Sequence, residues 1–211
     1  MSSVRTHLPS ARGRRHPGDA RLRQALRQFP RKLFCAASPD HECELPAPPD
    51  QLTVEKMLEA LQLNGTERVL EIGSATAYTA ALLSHLAAEV YSVVTDKEAA
   101  ERRGLHLHAL GCGNAHVVLA APHGGWPSAA PYQAILVGAS AAQVPLPLIH
   151  QLDLGGRLVI PIGDDQSQLL ERVYKRQGAL SSETLGACHV AALADGPPEP
   201  SLVPWVHQPR E

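Results

Sequence analysis

Short runs of apolar residues alternate with longer stretches of helical spacing between residues 68 and 163. The stretches TAYTAALLSHLAA and DKEAAERRGLHLHALG place apolar residues at helical intervals, and the second ends in glycine. Strands are predicted at 68–73, 89–94, 115–120, 132–138 and 156–163. This alternation predicts a parallel β-sheet that is covered by helices on both faces.

Two further apolar runs, at 168–176 and 183–193, follow without an intervening helix. They predict an antiparallel hairpin that completes a seven-stranded, mostly parallel sheet of Rossmann-like α/β topology. Ahead of the sheet, residues 18–28 and the stretch QLTVEKMLEALQL have helical spacing. Ligands of such sheets bind at the carboxyl ends of the strands, and Gly73 follows the first of these ends.

Composition and charge favour one folded domain with a basic tail. The 211 residues are 44% hydrophobic and 4% aromatic, and no apolar run approaches the roughly 20 residues of a membrane span. The first 32 residues hold nine basic residues and one acid, whereas the rest holds ten basic and 20 acidic residues. We expect a disordered basic tail at 1–17, a domain at 18–194 and a Pro-rich tail at 195–211. The acidic body argues against nucleic-acid binding.

The cysteines indicate a reducing compartment. Cys35, Cys43, Cys112 and Cys188 form no CxxC pair, which favours reduced thiols and a cytoplasmic location. Cys35, His41 and Cys43 lie close together, but no second pair of ligands has matching spacing, so no metal site is predicted. The Arg-rich start MSSVRTHLPSARGRR also has the composition of an organelle transit peptide, although no cleavage site marks it.

Several segments resemble one known family. VLEIGSATAYTAALL is similar to the cofactor loop VLEIGTGSGYQAAVLA of protein-L-isoaspartate O-methyltransferases, and EVYSVV is similar to that family's next strand. GGWPSAAPYQAILVG and LGGRLVIPIG resemble its GWPEEAPFDAIIV and PGGRLVIPVG segments, and the likeness extends over residues 20–194. The resemblance implies a class I methyltransferase fold. It also implies methyl transfer from S-adenosylmethionine to the α-carboxylate of an isoaspartyl residue in a protein or peptide, which starts protein repair.

The resemblance places cofactor-binding positions of the loop at Glu71, Gly73, Ser74, Ala75, Ala77 and Tyr78. Glu71 would help to hold the methionine end of the cofactor, and Gly73 matches the first glycine of the loop. Ala75 and Ala77 replace its second and third glycines. Glycine is used where the backbone must approach a ligand closely, sometimes at positive φ. If both alanines needed positive φ, the backbone strain would be about 1–2 kcal/mol for each.

Further positions depart from the family pattern. Val94 stands where the family has the acid that accepts hydrogen bonds from the ribose hydroxyls. Asp96 either reaches back to replace that acid or caps the following helix. Ala121 stands where the family has an acid on the adenine side of the cofactor. Each lost charged acceptor would weaken the free energy of cofactor binding by roughly 1.5–3 kcal/mol. In the catalytic segment, LPAPPDQLTVEKM, Thr53 is the candidate hydroxyl donor.

These substitutions predict that S-adenosylmethionine binds weakly or not at all. An NAD site is less favoured still, because the turn is not GxGxxG and the second strand does not end in an acid. Two functions stay open. One is a protein-L-isoaspartate O-methyltransferase of weak or lost activity, and the other is a non-catalytic relative that binds another protein. The sequence predicts no oligomeric state.

Overall fold

The computed structural model describes residues 17–35, 49–193 and 201–202. Residues 1–16 of the predicted basic tail and most of the predicted Pro-rich tail lie outside the described residues, as do His41 and Cys43. Among the described residues, no helix is long and apolar enough to cross a membrane. In the same part of the chain, no three His, Cys, Asp or Glu side chains gather in a group that could hold a metal ion.

Three helices precede the sheet, namely α1 (Pro17–Gln28), α2 (Lys32–Cys35) and α3 (Gln51–Ala60). α1 ends two residues before Pro30, because proline lacks the N–H that a continuing helix would need. Asp50 caps α3, and its Oδ1 accepts a hydrogen bond from the Thr53 backbone amide at 3.0 Å. Both predicted helices ahead of the sheet are therefore present.

Five parallel strands form the centre of the sheet: β1 (Arg68–Ile72), β2 (Glu89–Val94), β3 (Ala115–Leu119), β4 (Tyr132–Val137) and β5 (Leu152–Gly163). The helices between them are α4 (Tyr78–Leu86), α5 (Lys97–Ala109) and α6 (Leu146–Gln151). An antiparallel hairpin follows, made of β6 (Gln168–Arg176) and β7 (Ala179–Cys188). The strand order β7-β6-β5-β4-β1-β2-β3 confirms the predicted seven-stranded mixed sheet.

The second hairpin strand lies earlier in the chain than its predicted range, 183–193. β7 begins at Ala179, because Gln177 and Gly178 make a two-residue turn directly after β6, and Gly178 takes a φ of 73°. The turn chemistry therefore sets the register of the hairpin, and the apolar residues that follow β7 have another role.

Residues 190–193, which we call the C-terminal return, leave the hairpin and run back to the carboxyl edge of the sheet. Gln168 anchors them: its Nε2 donates to the Val190 carbonyl oxygen at 3.0 Å, and its Oε1 accepts from the Val190 amide at 2.8 Å. Ser140, just beyond β4, forms a parallel bridge with Ala192. The chain after the hairpin thus becomes part of the ligand-binding edge.

A further strand of two residues, β8 (Ser201–Leu202), pairs antiparallel with the end of β3. The sequence interpretation assigned these residues to the Pro-rich tail and predicted no strand there. Two residues are too short to show a period of alternation, so the pattern carries no signal for this pairing.

The core has one layer on each face of the sheet, and β1 contributes to both. Val69 belongs to the layer that packs under α1, α3, α4 and α5, whereas Leu70 and Ile72 belong to the layer under α6. Successive side chains of a strand point to opposite faces, so Glu71 faces the same layer as Val69. A fully buried carboxylate therefore lies between the sheet and α5, beside the carboxyl end of β1.

Candidate cofactor site

A cavity of about 400 Å³ opens at the carboxyl edge of the sheet, where β1, β2 and β4 end. The loop after β1, one face of α5 and the C-terminal return provide walls of this cavity. Six of the predicted binding positions line it, namely Gly73, Ser74, Ala75, Ala77, Val94 and Asp96. Four other predicted positions are not part of its lining, namely Thr53, Glu71, Tyr78 and Ala121.

Gly73 is required by the backbone at the first turn of the loop. Its φ is 76°, in the left-handed region that residues with a Cβ rarely adopt. A Cβ at this position would lie 2.9 Å from the Cβ of Ala139 and 3.0 Å from Cδ1 of Leu193. The glycine therefore permits close contact between the loop, the end of β4 and the C-terminal return.

The two loop alanines cause no backbone strain, because neither has the positive φ on which the expected strain depended. Gln62 is the one non-glycine residue with positive φ in the described part of the chain. Ala77 has φ −70° and ψ −4°, which is ordinary helical geometry at the start of α4. The loop therefore accepts methyl groups at Ala75 and Ala77 without the cost of 1–2 kcal/mol that a left-handed conformation would impose.

Hydrogen bonds within the loop hold its shape. The Ser74 hydroxyl donates to the Thr76 carbonyl oxygen at 2.9 Å, and the Thr76 hydroxyl accepts from the Tyr78 amide at 3.3 Å. The Tyr78 ring is buried and packs against the Phe34 ring with a centroid distance of 5.3 Å. Ser74 thus lines the cavity as predicted, whereas the Tyr78 side chain belongs to the core behind it.

Glu71 lies beneath the loop in a buried polar network. Its Oε2 accepts a hydrogen bond from the Ser92 hydroxyl at 2.5 Å and lies 3.5 Å from Nη1 of Arg103. Arg103 Nη1 donates to the Ser92 hydroxyl at 2.8 Å, and its Nη2 donates to the Ser74 carbonyl oxygen. Glu71 therefore supports the loop through Arg103, which ties the loop to α5.

Burial sets the electrostatics of this network. Desolvation raises the pKa of Glu71, and the positive charge of Arg103 opposes that shift. Desolvation also lowers the pKa of Arg103, against the attraction of Glu71. Glu71 Oε1 is the one buried side-chain nitrogen or oxygen without a hydrogen-bond partner among the described residues. Each of these two charges therefore depends on the other for its stabilisation in the interior.

The end of β2 offers the cavity no carboxylate that lacks hydrogen-bond partners within the chain. Val94 is buried and lines the wall with an apolar side chain. Asp96 also lines the cavity, but it caps α5: its Oδ1 accepts from the Glu98 amide at 3.1 Å and its Oδ2 from the Ala99 amide at 2.7 Å. Of the two roles considered for Asp96, these hydrogen bonds show helix capping.

Ala121 and Thr53 lie away from the cavity lining. Ala121 precedes a 3₁₀ turn that starts at Pro122, and Pro122 reaches the cavity in its place. Thr53 is in the first turn of α3, where its hydroxyl donates to Oδ2 of Asp50 at 2.7 Å and lowers the pKa of that carboxyl. Its hydroxyl is thus engaged in the helix cap, and its catalytic role stays a prediction.

Sequence reasoning missed the face of α5 that lines the cavity. Ala99, Arg102, Arg103 and His106 recur at helical spacing and share that face. The signal was present, because Asp96 marks the start of α5 at the ligand edge and the next residues of its inner face follow at these intervals. The C-terminal return carried no such signal, since its position depends on the path of the whole hairpin.

The sheet order, the glycine turn after β1 and the cavity at the carboxyl edge together define a class I methyltransferase fold. A family model described as protein-L-isoaspartate(D-aspartate) O-methyltransferase matches residues 13–197. The chain belongs to this family, as the resemblance in its sequence implied.

Curated relatives and solved structures agree with this assignment. The chain is 38% identical to a protein-L-isoaspartate O-methyltransferase of Methanoculleus marisnigri over 186 residues, which cover 83% of this chain and 84% of the relative. It is 42% identical to protein-L-isoaspartate O-methyltransferase 1 of Rhodopseudomonas palustris over 170 residues, covering 75% and 67% of the two chains.

Two solved structures share the fold. A protein-L-isoaspartate O-methyltransferase superposes with a TM-score of 0.70 at 23% identity, over 82% of this chain and 61% of the other. A structure from Plasmodium falciparum, described as a candidate member of the family in complex with S-adenosyl-L-homocysteine, superposes with a TM-score of 0.67. That likeness has 17% identity and covers 82% of this chain and 90% of the other.

Proposed function

We propose that this chain is a protein-L-isoaspartate O-methyltransferase that binds S-adenosylmethionine weakly and therefore methylates isoaspartyl carboxylates slowly or not at all. The proposed partner is a protein or peptide that contains isoaspartate. The family assignment supports the reaction class. The composition of the cavity wall supports the weak binding.

The observation that carries the proposal is the state of the acids at the cavity. Asp96 is the one carboxylate among the described lining residues, and both of its oxygens accept hydrogen bonds from α5 amides. Val94, at the position that the resemblance assigns to the ribose acceptor, is buried and apolar. Bound ribose hydroxyls would lack the charged acceptor that the resemblance assigns to this position, which costs roughly 1.5–3 kcal/mol.

A second loss adds to the first. Ala121 has no side-chain acceptor for the adenine side, and it does not line the cavity. Together the two losses lower affinity by about two to four orders of magnitude, if each costs roughly 1.5–3 kcal/mol. Gly73, Ser74 and Ala75 still line the cavity, so it keeps the loop that the resemblance assigns to the cofactor and lacks the acids that the resemblance assigns to its ribose and adenine.

Calorimetric titration with S-adenosylmethionine tests the proposal. We expect a millimolar or weaker dissociation constant for the wild type and at least tenfold tighter binding after Val94→Glu, with a further gain on adding Ala121→Asp. Val94→Met is the matched control, since it places a side chain of similar length at the same lining position without an oxygen that could accept a hydrogen bond. A low-micromolar dissociation constant for the wild type would contradict the proposal.

Methyl transfer provides the second measurement. An isoaspartyl peptide and its normal aspartyl isomer are incubated with labelled S-adenosylmethionine, and incorporation into base-labile methyl ester is counted. We expect little incorporation with the wild type, and incorporation confined to the isoaspartyl peptide with the Val94→Glu, Ala121→Asp variant. Rapid methylation of the isoaspartyl peptide by the wild type would overturn the claim of weak activity.

The cytoplasm is the proposed compartment. Cys112 is buried and Cys188 is half-buried, and both are free thiols. These are the two cysteines whose side chains the structure describes, and reduced thiols fit a reducing environment.

A further inference from the structure

Arg103 places a positive charge at the wall of the cavity beneath the cofactor-type loop. Its side chain is 6% exposed, and it is one of the residues that line the cavity. Its Nη2 donates to the carbonyl oxygen of Ser74, the residue that follows Gly73 in the loop. Its Nη1 lies 3.5 Å from Oε2 of Glu71, which is fully buried.

Both acceptors would attract a cation: the Ser74 carbonyl oxygen belongs to a lining residue, and the Glu71 carboxylate is buried behind the lining. A buried carboxylate and an inward loop carbonyl stabilise positive charge, because both act in a region of low dielectric constant. The chain supplies that cation itself. A ligand ammonium group at the loop would have to displace the guanidinium or lie beside it, and like charges at close range repel strongly.

The side chains of the described cavity wall carry more positive than negative charge. Asp96 is the one carboxylate there, and it already accepts hydrogen bonds from two amides at the start of α5, whereas Arg102 and Arg103 are two cations. Arg102 is largely exposed and lies 3.5 Å from Glu98, so it adds positive charge near the mouth. The wall therefore suits a ligand carboxylate better than a ligand ammonium group.

We propose that Arg103 is an internal cation that takes the place of a ligand ammonium group at the loop, so that the cavity selects adenosine thioethers that carry a carboxylate without an adjacent amino group. The inference rests on the proposed function in one respect, namely that this cavity is the cofactor cavity. It assigns to Arg103 the role of a specificity-determining residue.

The test on the wild-type protein compares two ligands that differ in one group. S-adenosylhomocysteine carries the amino group, and its desamino analogue has hydrogen in that position. We expect the analogue to bind about three- to tenfold more tightly than S-adenosylhomocysteine, measured by NMR titration up to about 10 mM ligand. Equal binding of the two ligands, or tighter binding of S-adenosylhomocysteine, would overturn the inference. Failure of both ligands to bind would also overturn it, because the cavity would then accept neither class.

The second arm removes the charge. Arg103→Met keeps a similar length without the guanidinium and leaves Glu71 as an uncompensated carboxylate. We expect it to tighten S-adenosylhomocysteine binding at least tenfold and to change binding of 5′-methylthioadenosine, which has neither amino nor carboxyl group, less than twofold. Arg27→Met is the matched control, since Arg27 is an exposed arginine of α1 that does not line the cavity, and it should leave the preference between S-adenosylhomocysteine and its desamino analogue unchanged.

A third variant separates charge from folding. Arg103→Met with Glu71→Gln removes both members of the pair, so no lone carboxylate is buried. The gain for S-adenosylhomocysteine should disappear in this variant, because the counter-charge for its ammonium group has gone. Equal changes for S-adenosylhomocysteine and 5′-methylthioadenosine in Arg103→Met would show a general effect on the cavity and contradict the inference. A low-micromolar wild-type affinity for S-adenosylmethionine would refute the proposed function alone, since the ratio between the amino and desamino ligands would still decide the role of Arg103.

Discussion

Replacement of Gly73 by alanine is expected to lower the free energy of unfolding by about 2–5 kcal/mol, through two separate effects. The φ of 76° imposes a left-handed backbone, which costs a residue with a Cβ about 1–2 kcal/mol. The added methyl would also lie 2.9 Å from the Cβ of Ala139 and 3.0 Å from Cδ1 of Leu193. Overpacking of a filled site costs about 1–3 kcal/mol.

Two other glycines of the chain isolate these effects. Gly111 has a φ of 74°, but a Cβ there would meet nothing within 4 Å. Gly111→Ala therefore measures the backbone effect alone, about 1 kcal/mol after the gain from a stiffer unfolded chain is subtracted. Gly113 has open space and a φ outside the left-handed region, so Gly113→Ala should be neutral or stabilise by up to about 1 kcal/mol.

Urea unfolding of the three variants and the wild type, followed by circular dichroism, gives the comparison. Equal slopes of free energy against urea concentration would show that the native states stay equally compact. We expect the order of stability Gly113→Ala, Gly111→Ala, Gly73→Ala, from highest to lowest. If Gly73→Ala were no more destabilising than Gly111→Ala, the close contact of the loop with the C-terminal return would be refuted.

Three further predictions concern the turn before β1, the C-terminal return and the loop. Burial would raise the pKa of Glu67, but hydrogen bonds from turn amides and from Arg157, whose Nη2 lies 3.0 Å from Glu67 Oε1, outweigh this effect and lower it. Glu67→Gln should therefore lower the free energy of unfolding by about 3 kcal/mol near neutral pH. Because the folded pKa is the lower one, this cost should shrink as the pH falls below 4.5 in urea unfolding, and a cost independent of pH would contradict the assignment. Gln168→Ala strips the return of its two anchoring hydrogen bonds, so amide hydrogen exchange there should accelerate at least tenfold, whereas unchanged exchange would show another anchor. Ala75→Gly with Ala77→Gly relieves no strain and should change S-adenosylmethionine affinity less than about threefold by calorimetry, and a tenfold gain would indicate that the methyl groups block the ligand.

The sequence by itself determined the sheet and the position of the ligand edge. The parallel strands are buried on both faces, and such strands read as continuous apolar runs that are easy to find. The helical spacing between these runs then implies crossover connections, so β1 to β5 and their order of connection follow from the local pattern. Gly73 was found for the same reason, since a glycine directly after an apolar run marks the turn at the carboxyl edge.

Parts of the candidate site could also be predicted, but their conformations could not. The resemblance located the loop alanines. Whether they strain the backbone depends on their φ angles, and a sequence fixes φ only for proline, through its ring. Asp96 had two possible roles, and the helix that starts directly after it decided for the cap. Val94 was identified by its place in a motif, but only the structure places its side chain in the cavity wall.

Contacts between residues far apart in the chain were decided by tertiary structure alone. Arg103 meets Glu71 because α5 packs over β2 and β3, and nothing in the helical pattern of α5 indicates which residue of the sheet Arg103 will contact. The C-terminal return meets Gly73 because Gln168, at the start of the hairpin, binds the backbone of Val190 after the hairpin ends. A period of hydrophobicity records which face of an element is buried, whereas the partner on that face is chosen by the packing of the layers.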